Sequence, residues 1–387
     1  MISYKTGIYT VKKECFSNKL LAFLKASELK SDVTWNFHDE IFSQALGKFK
    51  PDTYNLDHLY KLRALQLRDS YDYLILHYSG GSDSWNILNT FLKNNIKLDQ
   101  IFIKWPLQLM DKGLYQPNTS DKTAINFVSE WDFVIKKDIQ WLKTYHPEIK
   151  IEVIDWLDNL NIKFFNDDLI QSMNLHRFYL SNLLRFFGGS KQQELLLEKG
   201  KKVASIFGVD KPLLVEKHNK VFFKFSDTPT LSIDKIGYDN ESLELFYWTP
   251  DLPILAIQQA YELFKFYKLN PHERIKIKAF STISNIEKWD IKDYARKYED
   301  EYQISKAVLY PDWDISRFQA EKPIPGPDLS MSQKDIWLET QTFMKPFRES
   351  WSHIINSYHS QINNNLKLLN TSHMKFLDSK WHYLGDF

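Results

Sequence analysis

The sequence predicts an α/β protein, an open and mostly parallel sheet flanked by helices, with a helical C-terminal domain. Three observations carry this expectation. Short apolar runs of strand length recur from residue 71 to 207 with amphipathic segments between them, and parallel neighbours need crossovers of a dozen residues or more, which those segments supply. The first run ends in Ser79-Gly80-Gly81-Ser82-Asp83-Ser84, a turn that opens directly into helical periodicity. Beyond Pro253 the strand-like runs give way to helical patterning.

Residues 1–70 read as an N-terminal β/helical extension. A short β-like opening is followed by helical spacing, ending in 56–68, where Leu56, Leu59, Tyr60, Ala64 and Leu67 share one face. Residues 71–249 form the sheet domain. Its strands are expected at 71–78 (YDYLILHY), 98–105 (LDQIFIKW), 150–156 (KIEVIDW) and 202–207 (KVASIF). Ile87, Leu88, Phe91 and Leu92 mark the helix after the first strand. A loop at 106–121 precedes a helix over about 125–145 that stops before His146-Pro147. A long helix is expected over 168–187. Phe187-Gly188-Gly189-Ser190 then reads as a helix end followed by a capping box, Ser190 with Gln193. LLVE and VFFKF around Lys217-His218-Asn219-Lys220 signal a hairpin inserted in this domain, and LELFYW at 243–248 is a further strand-like run. Residues 250–387 form the helical domain. Asn270-Pro271-His272-Glu273 has the form of a helix start, and 332–365 is a long amphipathic pattern interrupted by Pro346.

Composition narrows the function. Fifty basic against 49 acidic residues give a net charge of +1, so no overall field favours nucleic acid or a membrane surface. Nucleic acid is therefore not the expected partner. A hydrophobic share of 43% with 26% charged residues is that of a globular protein. The lone cysteine, Cys15, cannot form an internal disulfide, a cysteine-rich zinc site or a thiol relay. The opening residues lack an apolar signal segment, and no run approaches the length of a membrane span. A cytoplasmic protein is expected.

The chemistry concentrates in the 79–84 turn. Five specified positions, S-G-G-x-D-S, arise by chance in a chain of this length with a probability on the order of 10⁻⁴. Two glycines let the backbone turn tightly and present N–H groups to an anion, and the helix N-terminus adds partial positive charge. Ser79, Ser82 and Ser84 supply hydroxyls, and Asp83 is a hard oxygen ligand suited to Mg²⁺. The string contains no Lys, so positive charge must arrive from elsewhere. Gly208-Val209-Asp210-Lys211-Pro212 follows the fourth strand and emerges at the same carboxyl edge, where open α/β sheets bind ligands. Asp210 is assigned to Mg²⁺ and Lys211 to phosphate. Arg177 on the 168–187 helix, with His176 beside it and Arg185 two turns on, is a further phosphate candidate. Lys104 and Trp105 end the second strand, Lys104 as a nucleotide contact and Trp105 as core. His77 reads as a packed or edge-facing residue. The run Phe246-Tyr247-Trp248 reads as interdomain packing or as the wall of a substrate pocket.

The SGGSDS string at the end of the first strand resembles the PP-loop signature of the N-type ATP pyrophosphatase superfamily, whose fold is a Rossmann-like α/β/α sandwich. The nearest layout is the synthetase domain of asparagine synthetases, and the chain also looks like PP-loop proteins of bacteriophages. The resemblance covers roughly 70–210. It implies ATP and Mg²⁺ as cofactors, with Ser79 to Ser84 and Gly208 around the pyrophosphate while a substrate oxygen attacks the α-phosphorus. GVDKP is similar to a Gly-and-Asp motif of asparagine-synthetase-like enzymes, with Lys211 where those enzymes carry a second acidic residue. The implied function is adenylation of a small-molecule carboxylate, amide or carbonyl oxygen with release of pyrophosphate, then attack by an amine. Ile2 stands where an N-terminal glutaminase would need Cys, so the amine or ammonia would come free or from a separate donor. The alternatives are a non-catalytic nucleotide-binding regulator and a tRNA-modifying enzyme, the latter disfavoured by the position of Cys15.

Overall fold

The structure, a computed structural model, describes residues 8–16, 19–105, 107, 131–155, 190–208, 211–227, 241–273, 306–312, isolated positions between 342 and 374, and 377–387. In chain order, β1 (Tyr9–Val11), β2 (Glu14–Phe16), α1 (Lys19–Leu29), β3 (Thr34–Trp35), α2 (Asp39–Gly47) and α3 (Leu56–Ser70) precede the first long strand, β4 (Tyr73–His77). Then come α4 (Ser82–Lys93), β5 (Gln100–Trp105), α5 (Lys136–Tyr145), β6 (Lys150–Asp155), α6 (Lys191–Glu198) and β7 (Val203–Phe207). The hairpin β8 (Leu213–Lys217) and β9 (Lys220–Lys224), β10 (Glu241–Leu245), α7 (Pro253–Leu269), β11 (Leu369–Asn370), β12 (His373–Met374) and β13 (His382–Asp386) follow. The expected helix over 168–187, with His176, Arg177 and Arg185, lies outside the described residues, as do Asp210 and all of the 106–121 loop but Leu107. Most of the 332–365 pattern lies outside them too.

Five strands form one parallel sheet in the order β10-β7-β4-β5-β6. The four expected strands are all in it, and β10 joins as a fifth edge strand. The first half of LELFYW thus extends the main sheet as the end of β10, and Phe246-Tyr247-Trp248 follows that strand. From β4 the chain first grows outward through β5 and β6, then returns across the sheet to add β7 and β10 on the other side. Right-handed crossovers in opposite directions deposit their helices on opposite faces. One face carries Leu74, Leu76, Ile101, Ile103, Ala204 and Ile206, all buried under α3, α4, α5 and α7. The other buries Ile75, Phe102 and Val203 against Leu197 of α6.

Local chemistry fixes each element. Asn55 caps α3, its side chain accepting from His58 N at 2.7 Å, and Leu56, Leu59, Tyr60, Ala64 and Leu67 are buried along one face, as their spacing predicts. Helix α4 ends in a left-handed Asn95 (φ 54°), with Ile96 N bonded to Phe91 O and Asn95 N to Leu92 O, a Schellman closure that satisfies the last carbonyls. Ser190 caps α6 by accepting from Gln193 N at 3.3 Å. The Gln193 side-chain amide donates to Ser205 Oγ, 3.1 Å away. His218 and Asn219 both have positive φ, the geometry of the two-residue turns that match strand twist. Asn270 closes α7, its side chain donating to Phe266 O at 2.8 Å, and a 3-10 helix over Pro271–Glu273 begins directly after it, so Asn270 ends one helix and precedes the expected start of another. The region after 250 also holds the C-terminal strand β13, which pairs with β9.

Strand β10 is anchored by a buried charge pair. Arg63 on α3 reaches Glu244 at 2.6 Å and Leu245 O at 3.0 Å, with both side chains almost wholly buried, and Tyr71 donates to the other Glu244 oxygen. Removing one partner of such a pair strands the other in a dry interior. Arg63→Ala is expected to cost about 3–5 kcal/mol in urea unfolding, while Arg63→Met with Glu244→Leu recovers most of the loss; equal midpoints for wild type and Arg63→Ala would contradict the anchoring role.

Candidate functional site

The direction of growth reverses at β4 and β7, so the loops leaving these two strands part from each other and open a crevice between them. The 79–84 turn leaves β4 and Gly208 leaves β7, which brings the two sequence-predicted segments to one place. The strand exit is fixed from below by the Tyr78 hydroxyl, which donates to buried Asp138 on α5.

Within the turn, the hydroxyls shape the loop. Ser79 Oγ accepts from Gly81 N (3.3 Å), and Ser84 Oγ donates to Gly81 O (3.0 Å) and lies 3.3 Å from Ser79 Oγ. Gly80 has φ +74°, and a Cβ there would lie 2.8 Å from Ile135 Cγ1, so both conformation and space require glycine. Gly208 sits in a tight space: a Cβ would meet the Asp83 backbone carbon and Ile87 Cδ1, each at 3.2 Å, so a larger residue there would need its neighbours to give way. The N-cap of α4 is Gly81, without a side-chain hydrogen bond to the helix. The first-turn N–H groups of Ser82, Asp83 and Ser84 have no carbonyl within the helix to receive them, and the N-cap residue adds no side-chain bond to them. That arrangement presents donors and helix-terminal positive charge to an anion.

Asp83 is the hub of the site. Lys211 Nζ pairs with Asp83 Oδ1 at 2.6 Å, and the Tyr310 hydroxyl donates to the same oxygen at 2.5 Å. Lys211 also donates to Tyr310 Oη at 2.8 Å. Tyr247 donates to the Asp83 carbonyl at 2.7 Å and accepts from Asn86 at 3.1 Å. Buried Lys306, one helical turn before Tyr310, adds a second cationic field at Asp83. Burial pushes the Asp83 carboxyl up, but Lys211, Lys306 and the hydrogen bonds from Lys211 and Tyr310 outweigh it, and the group ends below its ordinary value. Segment 306–312 is pinned by Tyr60, which donates to Leu309 O at 2.7 Å, and by Asn89 and Lys93, which hold Asp312 at 2.9 and 2.5 Å.

Lys104 falls on the opposite sheet face from α4, sharing the side of Phe102 beneath it. Burial lowers its ammonium to about 8. His77 stacks on Phe207 with ring centroids 4.0 Å apart, and burial, then the charge of Lys104, drives its pKa well down. His77 is therefore neutral at pH 7. Trp105 is buried and stacked on Trp131, the core position expected. Sequence reasoning missed Lys306, Tyr310 and Asn86, and it left Tyr247 between packing and pocket. Lys306 and Tyr310 lie more than 200 residues beyond the turn with no motif to mark them. Mg²⁺ is commonly held by one or two carboxylates plus phosphate oxygens and water. Among the described residues there is no cluster of three or more metal-ligating side chains. The donor set around Asp83 therefore fits a Mg²⁺ carried with a polyphosphate better than a resident metal centre.

The fold is that of an α/β protein whose parallel five-strand sheet, flanked by helices, is consistent with a Rossmann-like arrangement, with the β4 and β7 exits meeting at its switch point. No protein-family model matches the chain, and no curated protein matches it. Among the described residues no helix is long and apolar enough to cross a membrane.

Two outcomes follow for the turn. Gly80→Ala is expected to lose about 1–2 kcal/mol from its left-handed backbone alone, more with the Ile135 contact, read as a lower urea midpoint; an unchanged midpoint would show that the turn relaxes freely. Because the folded Asp83 pKa lies below its ordinary 3.8, its contribution to stability is complete above that pH and is lost as pH falls through the folded value. The stability gap between wild type and Asp83→Asn is therefore expected to be flat near neutrality and to shrink in acid, as followed by denaturation at several pH values.

Proposed function

We propose that the protein is an ATP pyrophosphatase of the PP-loop type, forming AMP and pyrophosphate as it adenylates a small-molecule carboxylate, amide or carbonyl oxygen. The observation that carries the reading is the uncapped N-terminus of α4, facing the crevice that Asp83 and Lys211 enter from opposite sides of the switch point. An attacking substrate oxygen forms a bond to the α-phosphorus as the α–β P–O bond breaks, and the pyrophosphate leaves with the electron pair. An amine then attacks the adenylated carbon, AMP departs and the amine loses a proton.

In this mechanism the first-turn N–H groups of α4 receive the β- and γ-phosphates. Lys211 and Lys306 oppose the charge that builds on the departing pyrophosphate, in a setting where low dielectric strengthens each contact. Asp83 and, outside the described residues, Asp210 would hold Mg²⁺, which would supply charge neutralisation to the phosphates. Tyr247 fixes the Asp83 backbone, and Tyr310 fixes its carboxylate. Small-molecule substrate and amine donor are the expected partners. Arg177 keeps its assignment as a phosphate contact, and Lys104 is the nucleotide candidate on the other sheet face.

A nucleotide-binding regulator is the second reading, favoured by the Lys211–Asp83 pair, which engages the carboxylate that the chemistry would need. Incubation with Mg·ATP and a panel of carboxylates and amines, with products separated by chromatography, decides between them. AMP and pyrophosphate are expected. ADP as sole product would refute the α–β assignment, and tight ATP binding with no turnover across the panel would favour the regulator. Lys211→Ala is expected to slow pyrophosphate formation by roughly 10²- to 10³-fold, the size of losing one preorganised charge contact.

A further inference from the structure

Lys211, Tyr310 and Asp83 close a triangle: ammonium to carboxylate at 2.6 Å, phenol to the same carboxylate oxygen at 2.5 Å, ammonium to phenol at 2.8 Å. One oxygen of the carboxylate that a metal ion would use already carries a cation and a proton donor. From this geometry we infer that Lys211 is the protein's own placeholder for the metal, holding the cation position of Asp83 until a polyphosphate draws its ammonium away, with Tyr310 as the pivot between the two states. The inference rests on the reading of Asp83 as metal ligand and Lys211 as phosphate contact given above.

Two cations on one carboxylate oxygen repel at short range, and partial burial strengthens that repulsion. A metal ion arriving alone would therefore compete with Lys211 for Asp83 without offering its ammonium an anion in exchange. A metal arriving with a polyphosphate brings that anion with it. Lys211 is suited to the transfer, because its ammonium is a point charge on a flexible four-carbon stem and its side chain is about a quarter exposed. Its Nζ also lies 5.6 and 5.3 Å from the ring centroids of Tyr247 and Tyr310, π faces along which a cation moves without losing all stabilisation. Tyr310 can release Lys211 and keep Asp83 in place, since it contacts both. Metal and nucleotide binding are then coupled, each favouring the other by the same factor.

The test uses the full chain and Mn²⁺ as the probe, followed by electron paramagnetic resonance without nucleotide. Wild type is expected to bind Mn²⁺ weakly, Lys211→Met about tenfold more tightly, the scale of a close charge pair, and Tyr310→Phe in between. Asp83→Asn in the Lys211→Met background is expected to remove the gain. In a second arm, calorimetry with ATP in EDTA is expected to show Asp83→Asn binding metal-free ATP more tightly than wild type, because Lys211 is released, and Lys211→Met binding it more weakly. Unchanged or weaker Mn²⁺ binding by Lys211→Met, or weaker metal-free ATP binding by Asp83→Asn, would overturn the placeholder role and leave a plain structural ion pair. If ATP binds no variant under any condition, the nucleotide reading falls while the Mn²⁺ comparison still decides who holds the cation position. Circular dichroism checks each fold, and Lys211→Gln replaces Lys211→Met if the latter is unfolded.

Discussion

A parallel sheet that grows outward in both directions from its first strand must leave a gap where the two directions part. That constraint sets everything described above. It puts the β4 and β7 exits side by side, and it makes Gly208 pack against the first turn of α4. Lys211, three residues on, then meets Asp83 across the crevice. The same reversal separates the two faces, so that α4 with its donors lies on one side and α6 on the other.

Beneath the crevice lies a cluster of phenols. Tyr60 meets Tyr247 edge-on and Tyr247 lies tilted against Tyr310, with centroids 5.7 Å apart at each step, and each hydroxyl finds an acceptor: Leu309 O, Asp83 O and Asp83 Oδ1. Burial raises the pKa of all three, each with a smaller push from the Asp83 charge, so they remain donors at any physiological pH. Large aromatic surface and a polar tip let them fill the core while still orienting the carboxylate. Asp83 is held from its backbone and from its side chain by different rings, which fixes its position more firmly than either contact alone.

Much of this was legible from the residues. The four strands at 71–207 stand out because strands buried on both faces read as continuous apolar runs, and the turn stands out because glycine, serine and aspartate at a strand exit have few purely structural uses. Strand β10 was less legible. Its run, ESLEL, carries Glu244, and a carboxylate in a buried edge strand makes sense only once Arg63, 181 residues earlier, is seen to meet it. Lys306 and Tyr310 were illegible for the same reason: their meaning lies in a contact with Asp83 more than 200 residues away, and no local periodicity encodes such a distance. Asn270 shows the reverse limit: its letters announce the helical turn that begins at Pro271, but not that the same residue closes α7.

The separation between Asp83 and Tyr310, 227 positions, has a consequence for how the protein is made. Chains emerge from the ribosome N-terminus first, at roughly 5–20 residues per second. The sheet through β10 is fully synthesised while the segment that completes the Asp83 site is still being added, and β13, which pairs with β9, comes last. For several seconds the nascent chain carries the 79–84 turn and Lys211 without Lys306 or Tyr310. The contacts that finish the crevice are therefore its latest to form, and assembly of the site reports that synthesis has passed residue 310.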